Sequence, residues 1–169
     1  VCISDNCSTD NIEEIVQVYK KNLDIKFKKN HENLGLGKNI LNAVSMAQGE
    51  FVWILGNDDL VTSQSLNKLK NLINENGNLD FFFINSFHLS SKYVFNSSQP
   101  FDTNKLPSNM DKVSKIRKNY QLNFFDLIDP KISFDFLMGI FLSVFRRKNW
   151  NENLDVINIE DINKKNTYS

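Results

Sequence analysis

Two adjacent carboxylates, Asp58 and Asp59, follow a glycine, Gly56, that ends a continuous apolar run over residues 51–55. Such a run is typical of a strand that is buried on both faces of a parallel sheet. In open α/β folds, ligands bind at the carboxyl edge of the sheet, where these two acids are expected. Adjacent acids beside a glycine suit a hard divalent cation that holds phosphate oxygens, because the glycine lets a ligand approach closely. Capping of the next helix explains the same two acids equally well.

A second polar cluster, residues 5–10, follows a short apolar segment at residues 1–4. It consists of residues that favour turns and helix caps, and Asp10 with Glu13 matches a capping box. Taken alone, the cluster is best interpreted as the cap of a helix. A third loop, residues 30–37, is rich in turn formers, but its short Gly-x-Gly is not the fingerprint of a dinucleotide-binding fold.

Alternating strands and helices are expected to position these clusters. Apolar runs and period-two alternation predict strands at residues 1–4, 24–29, 51–55 and 79–84, with a candidate fifth at residues 88–95. Helical periodicity predicts three helices: residues 12–23, a second over residues 38–47 that Gly49 terminates, and a third that Thr62, Ser63 or Ser65 caps and Gly77 ends. This order predicts right-handed βαβ units, and therefore an α/β fold with a mostly parallel sheet flanked by helices.

The pattern changes after residue 95. The remaining chain predicts a loop at residues 96–111, a helix at 113–128 that Pro130 ends, and an apolar block at 134–147 that is either one strand or a short helix and then a strand. Asn119, Asn123 and the Phe124-Phe125 pair blur the period of that helix.

Size and composition bound the class of protein. A chain of 169 residues with 41% hydrophobic and 24% charged residues is the size of one soluble globular domain. Its formal net charge of zero argues against nucleic acid as a partner. Cys2 and Cys7 form neither a disulfide framework nor a metal-ligand pattern, which indicates a reducing cytoplasm. Val1 starts in mid-strand without a methionine, so we expect a truncated piece of a longer protein.

Three segments now stand in order: residues 3–10, Asn33-Leu34-Gly35 with Lys38-Asn39, and residues 49–59. Together they resemble the nucleotide-binding half of the family 2 glycosyltransferases of the GT-A type. That family has an Asp-Asp-Gly-Ser-Thr-Asp-like turn, an Asn-Leu-Gly loop and an Asp-x-Asp-Asp-like motif. The resemblance implies a single glycosyltransferase domain over residues 1–169 that lacks the family's first strand. It also implies a nucleotide-sugar-binding half at residues 1–95 and an acceptor-side half at residues 96–169.

The resemblance implies roles for individual residues. Asp5 would pair with the nucleobase, and Lys38 and Asn39 would contact the base or the diphosphate. The full set of donor-binding residues implied in this way is Asp5, Asn33, Gly35, Lys38, Asn39, Asn57 and Asp58. Asp58 would hold a divalent cation, Mn²⁺ or Mg²⁺, against the phosphates of the donor. Gly56 and Asn57 depart from the usual first acid and middle residue, but a subgroup that transfers deoxysugars to bacterial surface polysaccharides is similar at this point.

An inverting transfer needs a carboxylate that takes the proton of the acceptor hydroxyl. Many family members supply it from a Glu-Asp pair after a Phe-Arg-Arg strand, and Glu160-Asp161 follows Phe145-Arg146-Arg147 here. The resemblance therefore implies Asp161 as the catalytic base, with Asp59 as a further acid of the catalytic site. A helix cap is the plain alternative for Asp161. Asp135, an acid inside an apolar block, is the other candidate base.

The expected function is transfer of a hexosyl or deoxyhexosyl group from a nucleotide-sugar donor to a saccharide or lipid-linked acceptor. The expected setting is bacterial surface-polysaccharide synthesis in the cytoplasm, at the inner face of the membrane. Arg146, Arg147 and Lys148 are either a solvated strand end or a peripheral contact with phosphate or an anionic membrane. The alternative function is that of a non-catalytic or degenerate nucleotide-binding α/β module.

Overall fold

The computed structural model describes residues 1–62, 64–115, 118–127 and 139–154. The chain divides into two units, Val1–Val52 with Arg146–Ser169, and Trp53–Phe145. Several residues named above lie outside the described part: Ser63, Pro130, Asp135, Glu160 and Asp161. Among the helices that are described, none has the length and apolar character that a membrane crossing requires.

The first unit is built on a pair of parallel strands. Its first four elements are β1 (Cys2–Asp5), α1 (Ile12–Tyr19), β2 (Lys26–Lys29) and α2 (Leu36–Ser45). The strands pair in parallel, with Asp5 opposite Lys29. Each helix turns an apolar face inward, so that Val16 of α1 and Val44 of α2 are buried. The predicted strand–helix–strand order is confirmed here, and both strands end on the loops that carry polar clusters.

Helix α6 (Arg147–Asn153) belongs to the same unit. The backbone N–H of Arg147 donates to Glu50 O (2.9 Å), and its Nε donates to the carbonyl oxygen of the preceding glycine (2.7 Å). Arg146 forms an ion pair with Glu50, and its guanidinium lies 4.5 Å from the centre of the Phe51 ring. Segments up to 99 positions apart in the sequence are thus joined by direct hydrogen bonds.

The second unit has a different build. Its elements are α3 (Ser65–Glu75), β4 (Phe81–Phe83), α4 (Ser91–Phe95), α5 (Phe124–Leu127), a 3₁₀ turn (Ile140–Leu142) and most of β5 (Ser143–Arg146). β4 and β5 pair antiparallel, with Phe82 opposite Val144. A three-stranded sheet has the order β3-β5-β4, in which β3 is Phe51–Trp53. The side chains of Phe82 and Val144 are buried, as expected for strands with continuous apolar runs, and Leu142 of the 3₁₀ turn is buried too.

A reciprocal amide contact fixes the irregular segment after β4. Asn85 Nδ2 donates to Ser114 O (3.0 Å), and Ser114 N donates to Asn85 Oδ1 (3.0 Å). Ser114 is fully buried, so its backbone groups have no water to replace these bonds. The Asn85 side chain therefore makes the hydrogen bonds that the backbone of a neighbouring strand would otherwise make.

Two predicted helix ends are wrong. Helix α1 begins at Ile12 and no side chain caps it, so Asp10 and Glu13 form no capping box. Helix α2 ends at Ser45, four residues before Gly49, so Gly49 does not terminate it. A Cβ at Gly49 would lie 3.2 Å from Phe51 O, so this glycine relieves crowding at the start of β3 instead.

The third helix departs from its predicted cap but not from its predicted end. Gln64 stands at the N-cap of α3 without a side-chain cap bond, while the hydroxyls of Thr62 and Ser65 bond each other at 2.6 Å. The two hydroxyls satisfy each other and neither caps the helix. The helix ends at Glu75, and Gly77 follows the capping residue as predicted.

Two later predictions are also wrong in part. Residues 88–95 do not form a fifth strand, because the chain turns into helix α4 at Ser91. Within the described part of residues 113–128, only α5 is helical. The Phe124 ring packs edge-on against the rings of Phe81 and Phe125, so contacts with β4 and not helical periodicity decide this segment. The apolar block is confirmed as a short helical turn followed by a strand from residue 140 onwards.

Candidate functional site

Asp5 is a buried carboxylate at the carboxyl end of β1. Its Oδ1 accepts a hydrogen bond from Ser8 N (2.9 Å). Its Oδ2 is buried without a hydrogen-bond donor among the described residues, and Lys29 Nζ lies 3.7 Å away. The turn therefore fixes one oxygen and leaves the other unpaired. Leaving a buried acceptor unpaired costs about 1–3 kcal/mol, so a ligand that supplies a donor would recover that free energy.

The charge state of Asp5 follows from these contacts. Burial raises the pKa of its carboxyl group, but the hydrogen bonds from Ser8 and the nearby Lys29 ammonium together outweigh burial. The net pKa lies below the ordinary value of 3.8, so the group is an ionised acceptor at neutral pH. Ser8 lies outside α1, so the carboxylate closes a turn and does not cap a helix. The helix-cap interpretation of this cluster is therefore wrong.

Amide side chains connect the loops after β1 and β2 with the start of α2. We call the set the asparagine network, and its members are Asn6, Asn30, Asn33, Asn39 and Asn42. The buried Asn30 is central: its Nδ2 donates to Asn6 Oδ1 (3.3 Å) and Asn39 Oδ1 (3.0 Å). Its Oδ1 accepts from Asn42 Nδ2 (3.1 Å), and its backbone N–H donates to Asp5 O (2.8 Å). Because an amide has both donors and an acceptor, one side chain satisfies groups on two other segments, the loop after β1 and helix α2.

Asn33 and Asn39, which were predicted to contact the donor, use most of their amide groups inside this network. Asn33 Oδ1 accepts from Asn6 Nδ2 (2.7 Å) and from Gly35 N (2.9 Å). Asn39 exchanges two bonds with Ser4: its Oδ1 accepts from Ser4 Oγ (2.7 Å) and its Nδ2 donates to Ser4 O (3.0 Å). These contacts favour a role in shaping the site, and direct contact with a ligand stays a prediction.

The start of α2 carries the other two predicted donor contacts of this unit. Gly35, the residue before the helix, has a φ of 79°, which a residue with a side chain rarely adopts. Lys38 lies in the first turn and has no hydrogen-bond or ion-pair partner in the part of the chain that is described. A cation there opposes the helix dipole, so Lys38 does not serve to stabilise the helix. An anionic ligand at this position would pair with the positive charge of Lys38.

The acids after β3 lie in the second unit, in a turn over residues 56–59. Gly56 N donates to Asp59 Oδ2 (2.6 Å), and Asp59 N donates to Gly56 O (3.4 Å). A Cβ at Gly56 would lie 2.7 Å from Asp58 Oδ1 and 3.2 Å from Asp59 Oδ2, so both carboxylates lie against the glycine. Asn57 and Asp58 are exposed. Helix α3 begins only at Ser65, so the interpretation of these acids as its caps is wrong.

These two carboxylates fit a divalent cation that is shared with a phosphate ligand. No three His, Cys, Asp or Glu side chains converge as a metal site within the described ranges. Mg²⁺, however, is usually bound by one or two carboxylates together with substrate phosphates, so a dedicated cage is not required. Gly56 N already engages one oxygen of Asp59. Asp58 makes no hydrogen bond with any other described residue, so its carboxylate is the better donor to a metal.

An open groove of about 520 Å³ lies in the first unit. Its lining consists of Gln48, Glu50, Arg146, Arg147, Lys148, Asn151 and Glu152. Each of the three cations has a partner: Arg146 pairs with Glu50, Arg147 donates to backbone carbonyls, and Lys148 Nζ lies 3.7 Å from Glu152. These contacts favour the interpretation of Arg146, Arg147 and Lys148 as a solvated strand end. A contact with phosphate or membrane stays a prediction.

The sequence reasoning did not identify Lys29 and Asn30 as residues of the site. Both stand at the carboxyl end of β2, next to Asp5 at the end of β1. The rule that ligands bind at the carboxyl edge of parallel strands applies to β2 as well as to β1. This rule could therefore have identified Lys29 and Asn30 from the sequence.

Comparison with solved structures identifies the class of fold. The crystal structure of Staphylococcus aureus TarS residues 1–349 in complex with UDP covers 90% of this chain and 39% of its own, with a TM-score of 0.57 and 22% identity. This likeness indicates the α/β fold of the GT-A glycosyltransferases, so the predicted fold class is confirmed. Residues 1–147 match the family described as "Glycosyl transferase family 2". The chain therefore belongs to glycosyl transferase family 2, as the resemblance implied.

Curated relatives match shorter stretches. Abequosyltransferase RfbV of Salmonella typhimurium is 44% identical over 68 residues, which cover 39% of this chain and 20% of that protein. The uncharacterised glycosyltransferase MJ1057 of Methanocaldococcus jannaschii is 33% identical over 84 residues, which cover 49% of this chain and 29% of that protein. The chain therefore spans less than a third of the length of these relatives.

Proposed function

We propose that this chain carries the donor-binding part of a glycosyltransferase. Its reaction would move a hexosyl or deoxyhexosyl group from a nucleotide-sugar donor to a saccharide or lipid-linked acceptor in bacterial surface-polysaccharide synthesis. The observation that carries the proposal is Asp5, a buried ionised carboxylate at the carboxyl end of a parallel strand, one oxygen of which accepts no hydrogen bond from the described residues. Family membership supports it, as do relatives named as an abequosyltransferase and a poly(ribitol-phosphate) β-N-acetylglucosaminyltransferase.

In this proposal, Asp5 Oδ2 accepts an N–H group of the nucleobase. The asparagine network holds the loop that presents Asp5, because Asn30 N bonds Asp5 O and the Asn30 amide links the neighbouring loops. The free ammonium of Lys38 and the backbone at Gly35 are assigned to the diphosphate. The UDP complex of TarS supports a nucleotide as the ligand of the fold.

The metal part of the proposal rests on the turn after β3. Asp58 would hold Mn²⁺ or Mg²⁺, which when bound neutralises charge on the diphosphate of the donor. Asn57, the exposed neighbour of Asp58, is assigned to the same donor contact. The bond from Gly56 N to Asp59 holds the turn in shape, and a role of Asp59 as a further acid of the catalytic site stays a prediction.

The proton acceptor for an inverting transfer is assigned to Asp161, with Asp135 as the second candidate. Both residues lie outside the described part of the chain. The assignment rests on the resemblance of Glu160-Asp161 to the family's Glu-Asp pair. A carboxylate committed to a metal on the phosphate side cannot also face the acceptor, which argues against Asp58 in that role.

The proposed setting is the cytoplasm at the inner face of the membrane, where lipid-linked acceptors are met. Within the described residues, Arg146, Arg147 and Lys148 form the basic run assigned to a peripheral contact. These three side chains already bond carboxylates and backbone carbonyls, so binding to phosphate or to a membrane would have to compete with those bonds.

Calorimetry with UDP, GDP and dTDP, each with Mn²⁺ and with EDTA, tests the donor site. We expect one of them to bind, and to bind more tightly with Mn²⁺. Asp58→Asn should weaken binding in Mn²⁺ far more than in EDTA, because only the metal-mediated part is removed. Asp10→Asn, at an exposed acid of the first unit, is the matched control and should bind normally. Equal losses of Asp58→Asn under both conditions would assign a structural role to Asp58.

A second variant tests the base contact. A charge-assisted hydrogen bond is worth about 1.5–3 kcal/mol, so Asp5→Ala should weaken nucleotide binding by roughly tenfold to a hundredfold in both Mn²⁺ and EDTA. Unaltered affinity together with a large fall in melting temperature would assign Asp5 to the turn alone. A non-catalytic module predicts the same binding but no sugar transfer, so a transfer assay on a longer protein that contains this chain separates the two functions.

A further inference from the structure

We propose that Lys29 is a positioning residue for base binding: its ammonium holds the residue 5–8 turn closed and keeps the Asp5 carboxylate in place as the acceptor. The proposal rests on the proposed function, because Asp5 is assigned there to the nucleobase. Lys29 itself would not touch the ligand.

The strand register brings Lys29 to this point. In the parallel pair, Asp5 of β1 stands opposite Lys29 of β2, so their side chains emerge side by side. Lys29 Nζ donates to Ser8 O (2.9 Å) and lies 3.7 Å from Asp5 Oδ2. The lysine side chain is 42% exposed, whereas that of Asp5 is 1% exposed. The partly solvated ammonium of Lys29 thus lies next to a carboxylate that is shielded from water.

Each oxygen of the carboxylate has a separate environment. Ser8 N donates to Asp5 Oδ1, and Lys29 Nζ donates to the carbonyl oxygen of Ser8. These two hydrogen bonds close the turn. At 3.7 Å the ammonium is beyond hydrogen-bonding distance of Oδ2 but close enough for an electrostatic attraction. Lys29 therefore supplies charge without occupying the lone pair that a ligand would use.

Lys29 supplies the charge in an otherwise neutral setting. The groups that bond to Asp5, or to the residue before it, are Ser8 on the turn, Asn30 after β2 and Asn39 on α2, and all three are uncharged. Burial raises the pKa of Asp5, and the contacts with Ser8 and Lys29 bring it below its ordinary value. Removal of the lysine charge leaves burial in force, so the pKa of Asp5 should rise.

The test measures uridine binding to the 169-residue chain by NMR titration, from pH 7 to about pH 3. Uridine is the probe because it has no phosphate that titrates and needs no metal. Lys29→Met should weaken binding at pH 7 by about twofold to fivefold, the worth of a partly exposed ion pair. It should also move the acid limit of binding to higher pH, because Asp5 then protonates earlier.

Two variants serve as controls. Lys29→Arg keeps the charge and should restore the acid limit of the wild-type chain. Lys28→Met removes the neighbouring lysine, whose Nζ reaches Asn42 Oδ1 at 3.5 Å and not Asp5, and should leave the profile unchanged. The carbon shift of the Asp5 carboxyl group, followed over the same pH range, reads its pKa directly in every variant.

The outcomes separate this inference from the proposed function. If the wild-type chain binds uridine and Lys29→Met binds it equally well at every pH, the positioning role is refuted and the donor site stands. If the wild-type chain binds neither uridine nor a nucleoside diphosphate, the proposed function fails and this role fails with it. A shifted acid limit in Lys29→Met, restored in Lys29→Arg, supports the role.

Discussion

Replacement of Gly56 by alanine probes the turn that carries the two acids without removing either of them. A Cβ there would lie 2.7 Å from Asp58 Oδ1 and 3.2 Å from Asp59 Oδ2, whereas ordinary contacts begin near 3.4 Å. Asp58 Oδ1 must therefore retreat by at least ~0.7 Å. Metal–oxygen distances are held within about 0.2 Å in protein sites, so a shift of this size removes a ligand from its position.

The same substitution should have little effect on folding. The atoms that must move are the ends of flexible side chains, and the loss of glycine's freedom in the unfolded chain contributes about 0.4–1 kcal/mol in the opposite direction. We expect the free energy of unfolding to change by less than about 1 kcal/mol. If Asp58 holds the metal as proposed, its displacement should weaken UDP binding in Mn²⁺ by about tenfold and leave binding in EDTA unchanged.

Calorimetry with UDP gives the binding change and urea denaturation gives the stability change. Gly77→Ala is the matched control, because the nearest atom to a Cβ there is Ile73 O at 3.8 Å, an ordinary contact. If Gly56→Ala and Gly77→Ala bind UDP equally well in Mn²⁺, the position of the Asp58 carboxylate does not matter and its metal role is refuted. A fall in affinity of equal size in EDTA would refute the reasoning too.

Three further predictions concern the first and second units separately. Cys7 has a φ of 68°, so Cys7→Gly should be more stable in urea than Cys7→Ala by about 1 kcal/mol, and the opposite order would contradict a left-handed turn. The pKa of Asp5 is lower in the folded chain than its ordinary 3.8, so its stabilisation is complete above that value and is lost as pH falls through the lower folded pKa. The stability gap between wild type and Asp5→Asn should therefore stay constant from neutral pH to about pH 5 and shrink below pH 3.8; a gap that is unchanged at about pH 2 would contradict it. Asn85→Ala should lower the free energy of unfolding by about 2 kcal/mol, because the buried backbone groups of Ser114 lose two bonds, and a loss below about 0.5 kcal/mol would show that water replaces them.

The strand ends of the site were predictable because apolar runs stop abruptly there. β2, β3 and β4 lie within their predicted residues and are shorter than predicted, whereas β1 is shifted by one residue from the predicted 1–4 and includes Asp5. An apolar run predicts where a chain is buried, whereas a strand ends where its ladder of hydrogen bonds ends. The two limits differ by a few residues in β3, whose apolar run continues to Leu55.

The polar interior of the site was not predictable in the same way. The Asn30 side chain bonds residues 24 positions before it and 12 after it, and no local pattern reports such contacts. Taken alone, the cluster at residues 5–10 indicates a helix cap, because Ser, Thr, Asp and Asn favour caps, yet the bond partner of Asp5 is a turn residue. In both cases a short polar side chain had several possible partners, and tertiary contacts selected among them.

The hydrogen bonds that Arg147 donates to Gly49 and Glu50 set an order of events during synthesis. Residues 1–52 contain the parallel strands and the asparagine network, but helix α6, the last described element of their unit, begins only at Arg147. On the ribosome, the N-terminal part emerges first and waits for the whole of the second unit before helix α6 can join it. Closure of so long a loop is entropically costly, so this unit should mature late although it is made first. Replacement of residues 53–145 by a short linker would remove that delay and leave a small chain that keeps the loops after β1 and β2.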